Sequence, residues 1–264
     1  MNTEKVIRDL QKVREHAPLV HNITNYVVMN STANALLSLG ASPVMAHAPE
    51  EVEEMASIAS AVVLNIGTLS KKWIEAMFKA GNKAKEKGVP VILDPVGAGA
   101  TSLRTETAKK IIEDIRPDIV RGNASEVLAL LKADAKTKGV DSSVSSDDAV
   151  AIAKDLASNK KCVVSISGKT DYVTDGKQVI TISNGDAMMS KITGTGCAAT
   201  ALTGALAGVN KNSMETAAGA MVIMGIAGEI ARINADAPGT FQIKFLDALY
   251  QLDEEDIKSK ARVE

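Results

Sequence analysis

Thr193-Gly194-Thr195-Gly196-Cys197, running straight into Ala198-Ala-Thr-Ala-Leu-Thr-Gly-Ala-Leu-Ala207, is the stretch on which the reading of this chain turns. The small apolar run predicts a buried helix, and the two glycines around Thr195 let backbone approach a ligand closely. The first N–H groups of such a helix have no partner inside it, and its dipole places positive charge at that end. A buried helix start of this kind is an anion hole suited to a phosphoryl group in transit. A plain loop entering a core helix has the same spacing. The thiol of Cys197 at the helix start favours the first reading.

Outward from that stretch, short β-branched runs alternate with helical periods. Strands are predicted over 19–23, 61–66, 89–93, 118–121 and 162–167. Helices are predicted over about 25–39, 50–59, 70–87, 105–114, 125–132 and 146–158. The alternation predicts an α/β fold with a mostly parallel sheet covered by helices on both faces. Over 170–183 the rhythm changes to a β-hairpin on the Asp175-Gly176 turn. Residues 136–146 read as a polar surface loop without a site role, and the Met214–Ile230 run as a core helix. No linker or repeat divides the chain, so residues 1–264 are read as one domain.

Composition narrows the function classes. A net charge of -2 gives no electrostatic case for nucleic acid or a membrane surface, and 3% aromatics leaves little for base stacking. Two cysteines without metal-type spacing, and no signal-peptide pattern at the N-terminus, predict a reducing, cytoplasmic setting. His16, His21 and His47 are scattered and form no metal-ligand pattern.

In open parallel sheets, ligands sit beyond the carboxyl ends of the strands. Here those ends carry Thr24-Asn25, Asn65 with Gly67-Thr68, Asp94 with Gly97 to Thr101, Arg121-Gly-Asn-Ala-Ser-Glu126, and Ser167-Gly168-Lys169. Each alone is ordinary turn chemistry. Together they line one edge with two carboxylates, an arginine, amides and a glycine cradle, the inventory of phosphoryl transfer. Gly168-Lys169-Thr170 is not a Walker A loop, because it precedes a strand and not a helix.

Those residues resemble the hydroxyethylthiazole kinase family of the ribokinase-like superfamily. The resemblance rests on His21-Asn-Ile-Thr-Asn-Tyr-Val-Val, Gly40-Ala-Ser-Pro-Val-Met45, Leu93-Asp-Pro-Val-Gly-Ala-Gly-Ala-Thr101, Arg121-Gly-Asn-Ala-Ser-Glu126, Thr193-Gly-Thr-Gly-Cys197 and Pro238-Gly-Thr-Phe241. It implies ATP-dependent phosphorylation of the primary alcohol of 4-methyl-5-(2-hydroxyethyl)thiazole in thiamine biosynthesis, with Mg²⁺, in a homotrimer whose active sites lie between subunits. By resemblance, Arg121, Ser167 and Asp94 contact ATP, with Asn25 reaching its phosphate from the neighbouring subunit. Met45, Gly194, Asn25 and Gly67 line the thiazole, Glu126 and Asp94 organise Mg²⁺, and Gly194, Thr195, Gly196 and Cys197 form the catalytic mouth. From the residues alone, Met45 equally fits a core position, Asn25 a helix N-cap, and Glu126 a first-turn acid.

Most ribokinase-like enzymes resemble one another in carrying Asp where this chain has Cys197. A thiol titrates near 8.5, and a helix N-terminus lowers that value. Cys197 therefore reads either as a modest general base or as a group that orients the acceptor hydroxyl. Two alternatives stand beside this reading. One is another ribokinase-like kinase acting on hydroxymethylpyrimidine or a sugar, and the other is a thiol-dependent enzyme using Cys197 as nucleophile.

Overall fold

Each apolar run read as a strand is one, and their alternate residues feed two separate cores. The computed structural model describes residues 2–131 and 146–264. In chain order, α1 (Thr3–His16) leads into β1 (Leu19–Ile23), α2 (Met29–Leu39) and the short β2 (Ser42–Val44). The alternation continues through α3 (Val52–Ile58), β3 (Ala61–Asn65), α4 (Lys71–Lys87), β4 (Val91–Asp94), α5 (Ser102–Asp114), β5 (Ile119–Asn123) and α6 (Ala124–Leu131). Beyond residue 145 come α7 (Ser146–Lys160), β6 (Val163–Ser167) and the hairpin of β7 (Asp171–Thr174) and β8 (Val179–Ile182). A 3-10 turn (Ala187–Lys191) then precedes α8 (Thr195–Val209), α9 (Ser213–Ile233), α10 (Pro238–Gln251) and α11 (Glu254–Lys260).

Among the described residues the strands form one eight-stranded sheet in the order β2-β1-β3-β4-β5-β6-β7-β8. β1 to β6 run parallel, while β7 and β8 are antiparallel. Ala61 and Val63 of β3 enter one core with α1, α2, α8, α9 and α10, while Val62 and Leu64 enter the other with α3 to α7. That period-two division is what a sheet buried on both faces requires. The order reverses between β1 and β3, which makes their carboxyl ends the topological switch point where such sheets bind ligands. α9 is apolar and long enough to cross a membrane, yet most of it is buried in the core, as expected for Met214–Ile230.

Local chemistry explains the boundaries. Ser70 caps α4 and Thr101 caps α5 through their side-chain oxygens. The helix expected from residue 25 begins only at Met29. The preceding backbone is drawn elsewhere: the Thr24 carbonyl accepts from Trp73 Nε1 at 3.0 Å, and Tyr26 N–H donates to Thr68 Oγ1 at 3.1 Å. β2 was not anticipated, because a three-residue strand holding Pro43 has no readable period, and a proline suits only a sheet edge. Of the polar loop expected over 136–146, only Ser146 lies among the described residues, and it opens α7.

Candidate active site

A thread of buried side-chain hydrogen bonds crosses the switch point. Asn25 Nδ2, beyond β1, donates to Asn65 Oδ1 at the end of β3, at 2.9 Å. Asn65 Nδ2 donates to Asp94 Oδ2 at the end of β4, at 2.8 Å. Thr200, one turn into α8, donates its hydroxyl to the same Asp94 oxygen, also at 2.8 Å. Gly67 N–H donates to Asn65 Oδ1 at 3.0 Å, so Asn65 ties three strand ends together. Asn25 Nδ2 also lies 3.5 Å from Cys197 Sγ.

The mouth of α8 opens on this thread. Gly194 is its N-cap, at φ +90°, and a side chain there would meet Val28 as well as adopt a left-handed backbone. No side chain caps the helix at Gly194, so the amide donors of its first turn are left for a ligand. Arg121 Nη1 donates to the Gly196 carbonyl at 2.9 Å, which fixes β5 to this first turn. Its Nε is buried without a protein partner. The mouth therefore stands beside both Asp94, through Thr200, and Arg121.

Electrostatics here differ from the expectation for Cys197. Burial first, then the nearby charge of Asp94, push its thiol up to about 12, outweighing the opposing amides of Asn65 and Asn25. Desolvation wins over the helix end. Asp94 is itself raised to about 7, by desolvation above all, with Arg121 opposing and Glu126 reinforcing. Glu126 is buried and already placed as a capping-box acid. Its Oε2 accepts from Asn123 N–H at 2.9 Å, Asn123 Oδ1 accepts from Glu126 N–H at 2.9 Å, and its Oε1 accepts from Gly97 N–H at 2.8 Å.

Asn25, Gly67, Asp94, Arg121, Gly194, Gly196 and Cys197 thus come together around one crevice. Thr195 turns its hydroxyl to the Met189 carbonyl at 3.2 Å. Met45 and Ser167 stand at the flanks, beyond β2 and at the end of β6, with four strands between them. Met45 is held by its own loop: its carbonyl accepts from His47 Nδ1 at 3.0 Å, and the His47 ring stacks on Trp73 with centroids 4.1 Å apart. Within the chain, Asn25 belongs to the buried thread that crosses the switch point. It is not a helix N-cap, since α2 starts after Val28. Three contributors escaped the sequence reading. Asn65 was seen only as a strand end, Thr200 only as one small residue of the helix, and Arg104 not at all. Arg104 donates to the carbonyls of Val96 and Gly67 and so joins two strand-end loops. A buried amide closing an apolar strand was the one readable signal.

A six-strand parallel sheet extended by an antiparallel hairpin, with a free amide mouth above an aspartate at the switch point, defines a ribokinase-like small-molecule kinase. The fold is shared with a ribokinase-like superfamily protein from Enterococcus faecalis V583, at a TM-score of 0.65 and 11% identity over 96% of each chain. The solved hydroxyethylthiazole kinase of Pyrococcus horikoshii OT3 is far nearer, with a TM-score of 0.92 and 44% identity, covering 99% of this chain and 98% of that one. The hydroxyethylthiazole kinase of Leptospira biflexa serovar Patoc is 55% identical over 257 residues, 97% of this chain and 96% of its own. The model of the hydroxyethylthiazole kinase family matches residues 10–255. The chain belongs to the hydroxyethylthiazole kinase family. It is a phosphotransferase, with ATP as co-substrate and the alcohol of hydroxyethylthiazole as acceptor, acting in thiamine salvage. The pyrimidine, sugar and thiol-nucleophile alternatives fall with that assignment. His21 Nε2 donates to the Ala46 carbonyl at 2.8 Å, and His47 Nδ1 donates to the Met45 carbonyl.

Proposed function

We propose that the transferred phosphoryl group lies at the mouth of α8, where the amides of Gly194 to Cys197 receive its charge, and that the thiazole alcohol attacks from beside Cys197. The observation that carries this is the joint attachment of the first turns of α8 to both flanking groups: Arg121 to the Gly196 carbonyl and Thr200 to Asp94. Such a preorganised set stabilises charge where it develops, without reorganisation. Arg121 and Ser167 serve the nucleotide. Met45, Gly194, Asn25 and Gly67 bound the acceptor.

Mg²⁺ fits the donor set. Among the described residues no cluster of three metal-ligating side chains exists, which suits an ion that keeps water and phosphate oxygens and borrows only one or two carboxylates. Asp94 would hold it, since both its protein donors fall on Oδ2. Glu126, whose oxygens already accept two amides, would act through water. Bound there, the ion neutralises phosphate charge.

Cys197, protonated at working pH, orients the acceptor hydroxyl by hydrogen bonding, and the hydroxyl proton leaves late, toward phosphate. This takes the orienting reading over the general base. The pH–rate profile from pH 7 to 10 is then the same in the parent and in Cys197→Ser, with no inflexion near the ordinary thiol range. Cys197→Ala lowers turnover about tenfold or more through lost orientation, and Cys197→Asp retains or raises it. Full activity in Cys197→Ala would overturn the role.

One ribokinase-like unit in a reducing, cytoplasmic compartment suits the two free cysteines. A homotrimer with sites at subunit boundaries is supported by Tyr26 and Val27, apolar side chains about two-thirds exposed directly after Asn25. Light scattering on the eluting protein should give about three times the 27.6 kDa chain mass, and a monomer mass refutes the trimer. Phosphate transfer from ATP and Mg²⁺ to a panel of thiazole, pyrimidine and sugar alcohols tests the acceptor, with only the thiazole expected to turn over well.

A further inference from the structure

The segment that delivers the chain from β8 to the mouth of α8 has little secondary structure of its own. What holds it lies on α9 and near residue 262. Glu229 of α9 accepts from Gly185 N–H at 2.7 Å and from Asn184 Nδ2 at 3.1 Å. The Arg262 guanidinium grips both oxygens of the same carboxylate, with Nη1 at 3.3 Å from Oε2 and Nη2 on Oε1. Arg262 also donates from Nη2 to the Ser183 carbonyl at 2.9 Å, and its backbone N–H donates to Asn184 Oδ1 at 2.7 Å. Asn184 is buried and spans the gap, since its Nδ2 also reaches the Lys260 carbonyl at 2.8 Å. Antiparallel backbone bonds of Arg262 to Ser183 and of Glu264 to Thr181 complete the strap along β8.

The same face of α9 is cut away to receive the segment. Gly225, Gly228 and Glu229 share that face by helical spacing. A side chain at Gly225 would drive into Asn184 backbone within 2.8 Å, and one at Gly228 would strike Met189 Sδ at 2.5 Å. Met189 is the residue whose carbonyl accepts from Thr195 Oγ1, in the first turn of α8. A continuous path of contacts therefore runs from Arg262 through Glu229 and Asn184, along the 3-10 turn, to the amide mouth.

We propose that Glu229, gripped by Arg262, is a positioning residue for phosphoryl transfer: it anchors the 183–195 segment and so holds the mouth of α8 beside Asp94 and Arg121. The carboxylate presents two acceptor oxygens to four donors from two chain segments, which neither glutamine nor aspartate reproduces. This rests on the anion-hole reading of Gly194 to Cys197. The guanidinium fork makes the anchor rigid as well as strong.

Glu229→Gln and Arg262→Ala test it, each as the full chain, with kcat, KM for both substrates, melting temperature, and hydrogen exchange of the peptide covering 193–198. Each variant is expected to lower kcat about tenfold, the scale of a sub-ångström misplacement of a reacting group. KM stays within about twofold, and exchange at the mouth is faster. The double variant is no worse than the more damaged single one, because both act through one carboxylate. Wild-type kcat in both single variants overturns the proposal, as does a loss that tracks falling melting temperature and recovers on cooling the assay. Gly196→Val separates this from the reading beneath it. If Gly196→Val keeps full turnover, the anion hole falls. If Gly196→Val is inactive while both anchor variants remain fully active, the anchor alone falls.

Discussion

Gly196→Val is expected to abolish most turnover, about 10²- to 10³-fold, the loss seen when one preorganised oxyanion donor is removed. Even a Cβ at this position would sit 2.9 Å from Arg121 Nη1. A valine therefore pushes the guanidinium off the Gly196 carbonyl and turns the first amides of α8 away from the phosphoryl group. On the nucleotide role proposed for Arg121, KM for ATP rises as well, but by less than kcat falls. The check is steady-state kinetics alongside calorimetric ATP binding. A variant that loses ATP binding while keeping kcat would contradict the assignment of the amides to the transferring group.

Asp94→Asn should produce opposite effects on activity and stability. Turnover falls about 10²- to 10⁴-fold, the several kcal/mol of charge stabilisation that the Mg²⁺ proposed at this carboxylate would supply. Stability without ligands moves the other way. The folded-state carboxyl titrates at about 7 against an ordinary 3.8, because burial disfavours its charge. The folded protein thus holds a proton that the unfolded chain has already released. The contribution of this carboxyl to stability is greatest below about 4 and declines as pH climbs to 7, by an amount on the order of a few kcal/mol. Asparagine has no charge to bury and keeps an acceptor for Asn65 and Thr200. Thermal melts of the unliganded protein should show Asp94→Asn several degrees above the parent at pH 8 and level with it near pH 4. Equal melting curves at pH 8 would show that this carboxylate is not held under strain by its surroundings.

Much of the architecture was legible because it is written in local periodicity. The apolar runs at 61–66 and 162–167 end within one residue of β3 and β6. The strand-end groups were legible too, since a parallel sheet puts every such end on one edge. Long-range exchange of hydrogen bonds was not. Nothing near residue 25 announces that its amide will bond Asn65, or that Thr24 will accept from an indole far along the chain, and those two partners undo a helical start that the local pattern favours. Cys197 misled for a related reason: a helix N-terminus is visible in sequence, whereas the enclosure and the neighbouring Asp94 that outweigh it are not. The Glu229 anchor is further out of reach, because its donors come from segments 33 and 45 positions away.

Gly204, midway along α8, meets the sheet so closely that a methyl group there would stand 2.9 Å from Val63 and 3.0 Å from Val20. The absence of a side chain at Gly204 therefore lets α8 lie directly on the sheet. Gly204→Ala overpacks this contact and is expected to cost about 1–3 kcal/mol of stability. The seat of α8 on β1 and β3 is thus set from inside the core, far from the strand ends.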